Sequence, residues 1–299
     1  LSATRSILHC GRQSASIFSQ HATASQRHEF ARSFQRAFQV PEGVESEKIA
    51  GGCRNLRIAQ INLTFLGTRG EIEAKSRRHR RHSALLIGHR RARIMIDSGA
   101  DWLRALKSVS PTAIVLTHGH PDHAFGLARG APCPVYATEE TWSLIDRYPI
   151  EDRRIVEARV PFAIGGVRLE AFPVQHSIRA PAVGYRVSGG RRGFFYVPDV
   201  AAIPQQCEAL RGASLYVGDG ATIRRSMVRV RGRVSIGHAP ISAQLGWCQT
   251  EGVARAIFTH CGSGIVKGDT RRIAARIEKL GRERGVDACV AYDGLTLSP

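Results

Sequence analysis

Acid is scarce in this chain. Its 299 residues include 25 aspartates and glutamates against 43 lysines and arginines, a formal charge of +18 with histidine neutral. Such an excess does not help folding, because self-repulsion opposes compaction. It fits a polyanionic partner or substrate, or else only an arginine-rich coding bias, since much of the arginine is scattered. No apolar run reaches the roughly 18 residues of a membrane-spanning helix, so no membrane partner is expected. The seven cysteines stand singly at positions 10, 53, 133, 207, 248, 261 and 289, with no C-x-x-C pair. That excludes a zinc ribbon and suits a reducing compartment, so a cytoplasmic location is expected. What remains is ordinary globular composition, 43% hydrophobic and 23% charged, long enough to bury a substantial core.

Residues 1–57 read differently from the rest. They are rich in Ser, Gln, Arg and His, and up to Val40 the only acidic residue is Glu29. The bias resembles an organellar transit peptide, but a disordered or non-native N-terminal extension is the expectation. Gly51-Gly52 fits a linker, and the folded domain is expected over residues 58–299.

Apolar alternation over 58–66 predicts the first strand, ended by Gly67. A basic loop follows at 75–82, then two short apolar runs, 84–87 and 94–96, that predict a hairpin. Residues 102–107 suit a short helix. The continuous run Ala113-Ile-Val-Leu116 reads as a strand buried on both faces. Val135-Tyr136 predicts another strand, and Thr138 is placed to cap a helix whose first turn holds Glu139 and Glu140. Further strands are expected at 167–172, 182–187, 193–197, 214–217 and 256–258, and helices at 243–251 and 270–284. Strands, then strands alternating with helices, predict an α+β architecture of two mixed sheets with helices outside.

The chemistry sits after the buried strand. His118-Gly-His120-Pro-Asp122-His123 packs four potential ligands into six residues, and imidazole with carboxylate suits zinc and similar divalent metals. On an extended turn His118 and His120 would face one point, and Asp122 and His123 a second. Three more candidates each end an apolar run, where a strand would deliver them: His176, Asp199 and His260.

This order, H-x-H-x-D-H, then His, Asp and His, resembles the metallo-β-lactamase-fold superfamily from about Ile58 onward. The resemblance implies a four-layer αβ/βα sandwich with metals in a cleft at one edge. It implies that His118, His120 and His176 hold one ion, that Asp122, His123 and His260 hold the other, and that Asp199 bridges them. Asp97, in an Asp-Ser-Gly turn, matches an aspartate that orients the histidine loop. Two divalent ions about 3.5–4 Å apart can share a hydroxide and acidify it toward neutrality. Zinc is the default for these ligands, and manganese or iron also fits.

Asp199 stands where the β-lactamases proper commonly carry cysteine, which turns the expectation from β-lactams toward phosphodiesterases, thioesterases and lactonases. Ile236-Gly-His238-Ala-Pro-Ile241 resembles the histidine motif of ribonuclease Z and of the cyclic phosphodiesterase of phosphonate breakdown. There the histidine clamps phosphate or protonates the leaving oxygen. The Phe65-Leu-Gly-Thr68 opening and the basic loop resemble the same branch, in which Arg77, Arg78, Arg80 and Arg81 would meet phosphates or simply be solvated. The ribonuclease Z arm has no room here, because only 22 residues separate His176 from Asp199. The expectation is a two-metal phosphodiesterase with Asp122, Asp199 and His238 as catalytic residues. Its substrate would be a small phosphodiester, a nucleotide or a nucleic-acid end, with the oligomeric state open. The alternatives are a lactonase or thioesterase on the same metals, or a non-catalytic nucleic-acid-binding member.

Overall fold

A computed structural model of the chain describes residues 60–189 and 193–299. The expectation for residues 1–57 lies outside the described residues. In chain order the first sheet is built from β1 (Asn62–Gly67), β2 (Ala84–His89), β3 (Ala92–Ile96), β4 (Ala113–Val115), β5 (Val135–Ala137) and β6 (Arg153–Ile155). The second takes β7 (Phe162–Ile164), β8 (Val167–Val174), β9 (Ala182–Ser188), β10 (Gly193–Tyr196) and β11 (Leu215–Asp219). A separate hairpin, β12 (Arg229–Arg231) and β13 (Val234–Ile236), precedes β14 (Arg255–Thr259) and β15 (Asp287–Val290) of the second sheet. The short β16 (Thr296–Leu297) returns to the first sheet beside β1. Each sheet has seven strands, in the orders β16-β1-β2-β3-β4-β5-β6 and β15-β14-β11-β10-β9-β8-β7. In each, a parallel half (β3 to β6, and β10, β11, β14, β15) adjoins an antiparallel half.

Strand alternation makes the layers. Leu85 and Ile87 of β2 face inward with Ile94 and Ile96 of β3, meeting Phe194, Tyr196, Leu215 and Val217 from the second sheet. Their neighbours point outward. Leu86 and Met95 pack under Trp102, Leu106 and Trp142, while Phe195 and Tyr216 pack under Ile241, Leu245 and Ile277. Each buried side chain of this size contributes roughly 1.5–3 kcal/mol. Two sheets face to face, with helices outside both, give the four-layer sandwich expected from the sequence.

Some elements differ from expectation. Residues 102–107 do not form one helix: a 3-10 turn at Ala100–Trp102 precedes a single α-turn, Leu106–Val109. The indole of Trp102 donates to the His82 carbonyl (3.1 Å) and so ties the segment to the sheet. The histidine loop is extended only up to His120, and Pro121–Ala124 is a helical turn with proline at its first position, where no amide is needed. Strands β6, β7, β12, β13, β15 and β16 were not expected, because at two to four residues each they are too short to show a period. All three residues of β6 and of β12 are exposed.

Candidate metal centre

The candidate ligands gather at the carboxyl ends of the strands, the edge where open α/β sheets place their sites. β3 leads to Asp97, β4 to the 118–123 segment, β8 to His176, β10 to Asp199, β11 to Asp219 and β14 to His260. His118, His120 and His176 form one cluster of facing nitrogens, and Asp122, His123, Asp199 and His260 form a second, each set within 4.8 Å. All seven sequence candidates are therefore brought to one place.

The outer ring nitrogens are held by other groups, which turns the inner ones toward the cluster. His123 Nδ1 lies 2.9 Å from Asp97 Oδ2, while Asp97 Oδ1 accepts from the Thr117 amide (2.8 Å) and hydroxyl (3.0 Å). His176 Nδ1 donates to the Gly237 carbonyl (3.1 Å). Inside, His118 Nε2 and His120 Nδ1 approach to 2.9 Å, and His123 Nε2 lies 2.6 Å from Asp199 Oδ2. Asp199 Oδ1 and His260 Nδ1 are 3.0 Å apart. Of the site's atoms, the buried His123 Nε2, Asp199 Oδ1 and His260 Nδ1 make no aligned hydrogen bond despite these short separations. Buried polar atoms are ordinarily satisfied. Converging unsatisfied nitrogen and carboxylate donors are what a divalent cation requires, so the residues present fit divalent metal.

Backbone geometry is bent to this purpose. Asp97 (φ 65°) and His260 (φ 51°) both occupy the left-handed region, uncommon outside glycine and more tolerated by Asp and His. Gly99 is needed for a different reason. A Cβ there would fall 1.8 Å from the Asp122 carbonyl oxygen, so only glycine lets the Asp97 turn press against the ligand helix.

Charge is strongly coupled here. Burial alone would raise Asp122 and Asp199, yet the neighbouring histidines hold both below the carboxylate range. Burial depresses His118, His120 and His176 toward the neutral form that ligates metal. His238 is different. Burial opposes its charge, but the nearby carboxylates of Asp219 and Asp199 outweigh that and push it up to about 11. Its Nδ1 lies 2.8 Å from Asp219 Oδ2 and 3.3 Å from Asp199 Oδ1. Nε2 is left for the 940 Å³ cavity that opens over the cluster and that His238 lines with His120, Asp122, His176 and His260.

Asp219 was not singled out from sequence, although its signal was present: Leu-Tyr-Val-Gly-Asp is an apolar run ending in an acid, as at Asp199. It is fully buried, accepts from the amides of Val200 (3.1 Å) and Ala221 (2.8 Å), and completes a third cluster with Asp199, His238 and His260. The basic loop, read as meeting phosphates or simply solvated, does not line this cavity. Lys75, Arg77, Arg80 and Arg81 line a separate 570 Å³ groove, and Arg78 stacks on Tyr292. The loop is pinned by Asp293, which accepts from the Arg80 amide (2.8 Å), and by buried His79 against Thr68 Oγ1 (2.8 Å). The arginines that do line the cavity are Arg224, Arg225 and Arg276.

Comparison with known proteins agrees with this geometry. Two curated proteins match over part of their length. The exodeoxyribonuclease YycJ of Bacillus anthracis is 26% identical over 149 residues, 44% of this chain and 56% of that protein. Ribonuclease Z of Methanopyrus kandleri is 28% identical over 148 residues, 43% of this chain and 50% of that protein. The chain thus spans about half the length of the curated relatives it matches. Among solved structures, the metallo-β-lactamase fold protein YhfI from Bacillus subtilis superposes with a TM-score of 0.62 at 13% identity, covering 81% of this chain and all (100%) of that one, a likeness of fold. The family model described as the β-lactamase superfamily domain matches residues 92–261, more than half of the chain and the whole stretch from β3 to His260. By fold, ligand order and family match, the chain belongs to the β-lactamase superfamily.

Proposed function

We propose that this protein is a metal-dependent phosphodiesterase. The observation that carries the reading is His238, fixed by Asp219 at 2.8 Å beside the ligand clusters and lining their cavity. In this assignment His118, His120 and His176 would hold one ion, Asp122, His123 and His260 would hold the other, and Asp199 would serve both. Two bound divalent cations, zinc by default for this donor set, supply Lewis acidity and an acidified water to the cleft. The chain's own residues do the rest. Asp97 fixes the tautomer and direction of His123, and the Gly237 carbonyl does the same for His176. Asp219 keeps a proton on His238 Nδ1 and stabilises the imidazolium, so that Nε2 can deliver a proton to the departing oxygen of the ester. That donor matters most when the leaving group is a poor one, as the alkoxide of a sugar is.

A nuclease and a ribonuclease Z among the curated relatives support the phosphodiester reading. The lactonase or thioesterase alternative calls for a pocket without arginine near the metals, whereas Arg224, Arg225 and Arg276 line this one. A cytoplasmic location belongs to the same proposal. No disulfide joins the described cysteines, and no helix among the described residues is long and apolar enough to cross a membrane. The deciding test is hydrolysis of bis(p-nitrophenyl) phosphate and 2′,3′-cyclic nucleotides by zinc- or manganese-loaded protein, beside acyl-lactone and thioester controls. Turnover of diesters that chelation removes is the expected result. Turnover confined to lactones or thioesters, unaffected by His238→Ala, would overturn it.

A further inference from the structure

Between Asp219 and Glu251 the chain has no acidic residue and carries arginine at 224, 225, 229, 231 and 233. The fold puts this stretch at the site itself. It leaves β11 at Asp219, forms the β12–β13 hairpin, turns at Gly232 (φ 61°) and returns at His238. An isolated two-stranded hairpin is marginal by itself, and this one is anchored at its base. The Gly237 amide donates to the His176 carbonyl (2.8 Å), the Met227 amide to the His238 carbonyl (3.1 Å), and the Ser235 amide to Gln175 Oε1 (2.9 Å). The hairpin therefore holds a fixed place relative to His176 and His238.

Two concavities meet at the clusters. The 940 Å³ cavity carries Arg224, Arg225 and Arg276, and a second groove of 440 Å³ carries Arg179, Arg229 and Arg231. Both are lined by His120, His176, Met227 and His238, so they adjoin at the candidate metal centre. Pleating puts Arg229 and Arg231 on the same face of β12, roughly 6.6 Å apart along the strand. All six arginines are exposed, and none makes an ion pair among the described residues. Six like charges around one cleft repel each other, at a cost to the folded state.

We infer that this groove takes a polynucleotide strand running across the site, with phosphates bound on both sides of the diester that is cut. This rests on the phosphodiesterase reading and names its substrate class. A small or cyclic diester presents one phosphate, which the metal centre itself engages, and leaves both arginine sets without a partner. A strand presents a phosphate at every nucleotide, and cations on both flanks neutralise those before and after the cut. Phosphate contacts of this kind fix position without reading sequence, so internal linkages of many sequences are substrates.

The test uses labelled dinucleotide, hexanucleotide and dodecanucleotide, as DNA and as RNA. Binding is followed by anisotropy on metal-loaded and chelated protein, and cleavage is compared with bis(p-nitrophenyl) phosphate. Affinity is expected to rise with length. The double variants Arg229→Glu/Arg231→Glu and Arg224→Glu/Arg225→Glu should each lower kcat/KM for the dodecanucleotide at least about tenfold more than for the nitrophenyl diester. Loss of two phosphate contacts should also reduce the salt slope of single-strand binding by about 1.4. Arg229→Lys/Arg231→Lys should keep most of the binding, which separates charge from hairpin folding. Dinucleotide and dodecanucleotide handled alike, or both substrates falling in parallel, would overturn the inference while leaving the phosphodiesterase reading intact. Length-dependent, arginine-dependent binding with no turnover of any diester would instead sink that reading and keep the strand-binding groove.

Discussion

The first sheet delivers four candidate ligands on one six-residue segment, 118–123, whereas the second delivers His176, Asp199 and His260 singly, each from a different strand end. The first set is a local object. Pro121 starts a helical turn, and the amides of His123 and Ala124 both return to the His120 carbonyl (3.0 and 2.9 Å). The second set is an object of the sheet. Its spacing depends on the parallel register of β10, β11 and β14 and on the antiparallel pairing of β8 with β9. A centre assembled this way has one rigid half set by short-range geometry and one half set by long-range packing. The two halves should fail differently when disturbed.

The largest effect is expected where the halves join. Asp199→Ala should cost turnover at least about a thousandfold and lower metal content at both positions, since its two oxygens face both clusters. Asp122→Ala should abolish activity while lowering metal content at one position. Metal analysis of the purified variants, set against their activity, decides this, and an active Asp122→Ala protein contradicts the assignment. Next come His238→Ala and Asp219→Asn, both on the second sheet's side. Each is expected to slow cleavage of diesters with poor leaving groups by about 10² to 10⁴ while metal content stays unchanged. Bis(p-nitrophenyl) phosphate, whose leaving group needs no proton, should suffer much less. Equal losses on both substrates would mean that the pair only shapes the site.

A smaller effect tests the local half. Asp97→Asn should weaken metal binding about 10- to 100-fold, because His123 loses the carboxylate that orients it. A competitive chelator titration measures this, and an unchanged affinity would show that the helical turn alone fixes His123. The smallest effect lies beside the centre. Buried His82, beside Arg69, is pushed down to about 4 by burial first and by the Arg69 charge second. Its folded value lies below the unfolded one, so its contribution to stability is complete above about pH 6.5 and lost as pH falls toward 4. In chelated protein His82→Gln should flatten that part of the melting profile, by up to about 1.4 kcal/mol per pH unit. An identical pH slope in the variant would rule out His82 as its source.

Legibility followed the same division. The 118–123 segment could be read because its ligands are adjacent and follow a strand whose burial shows as an unbroken apolar run. His176, Asp199 and His260 could be read because each ends such a run, and their order resembles a known family. Asp219 carried the same kind of signal and was passed over because the predicted strand stopped at Val217, whereas β11 continues to Asp219. The hairpin was invisible for a physical reason. Arg229–Arg231 has one apolar residue, Val230, and that residue is exposed, so neither burial nor alternation marks it as a strand. The basic loop's charge left two readings open, phosphate contact or solvation, and its place was set from elsewhere: Asp293 and Trp102, distant in sequence, hold it over a separate groove.

By itself the sequence determined the layered α+β pattern and the histidine loop, through local alternation and an unbroken apolar run, and the order of three further candidate ligands carried the resemblance that grouped them with it. Only the tertiary structure decided which charges matter. Asp219 faces His238, and Arg179 lines one groove with Arg229 and Arg231, because segments far apart in the chain meet at one edge. Charge acts through distance in space, and the chain becomes readable at that level once its strands are paired.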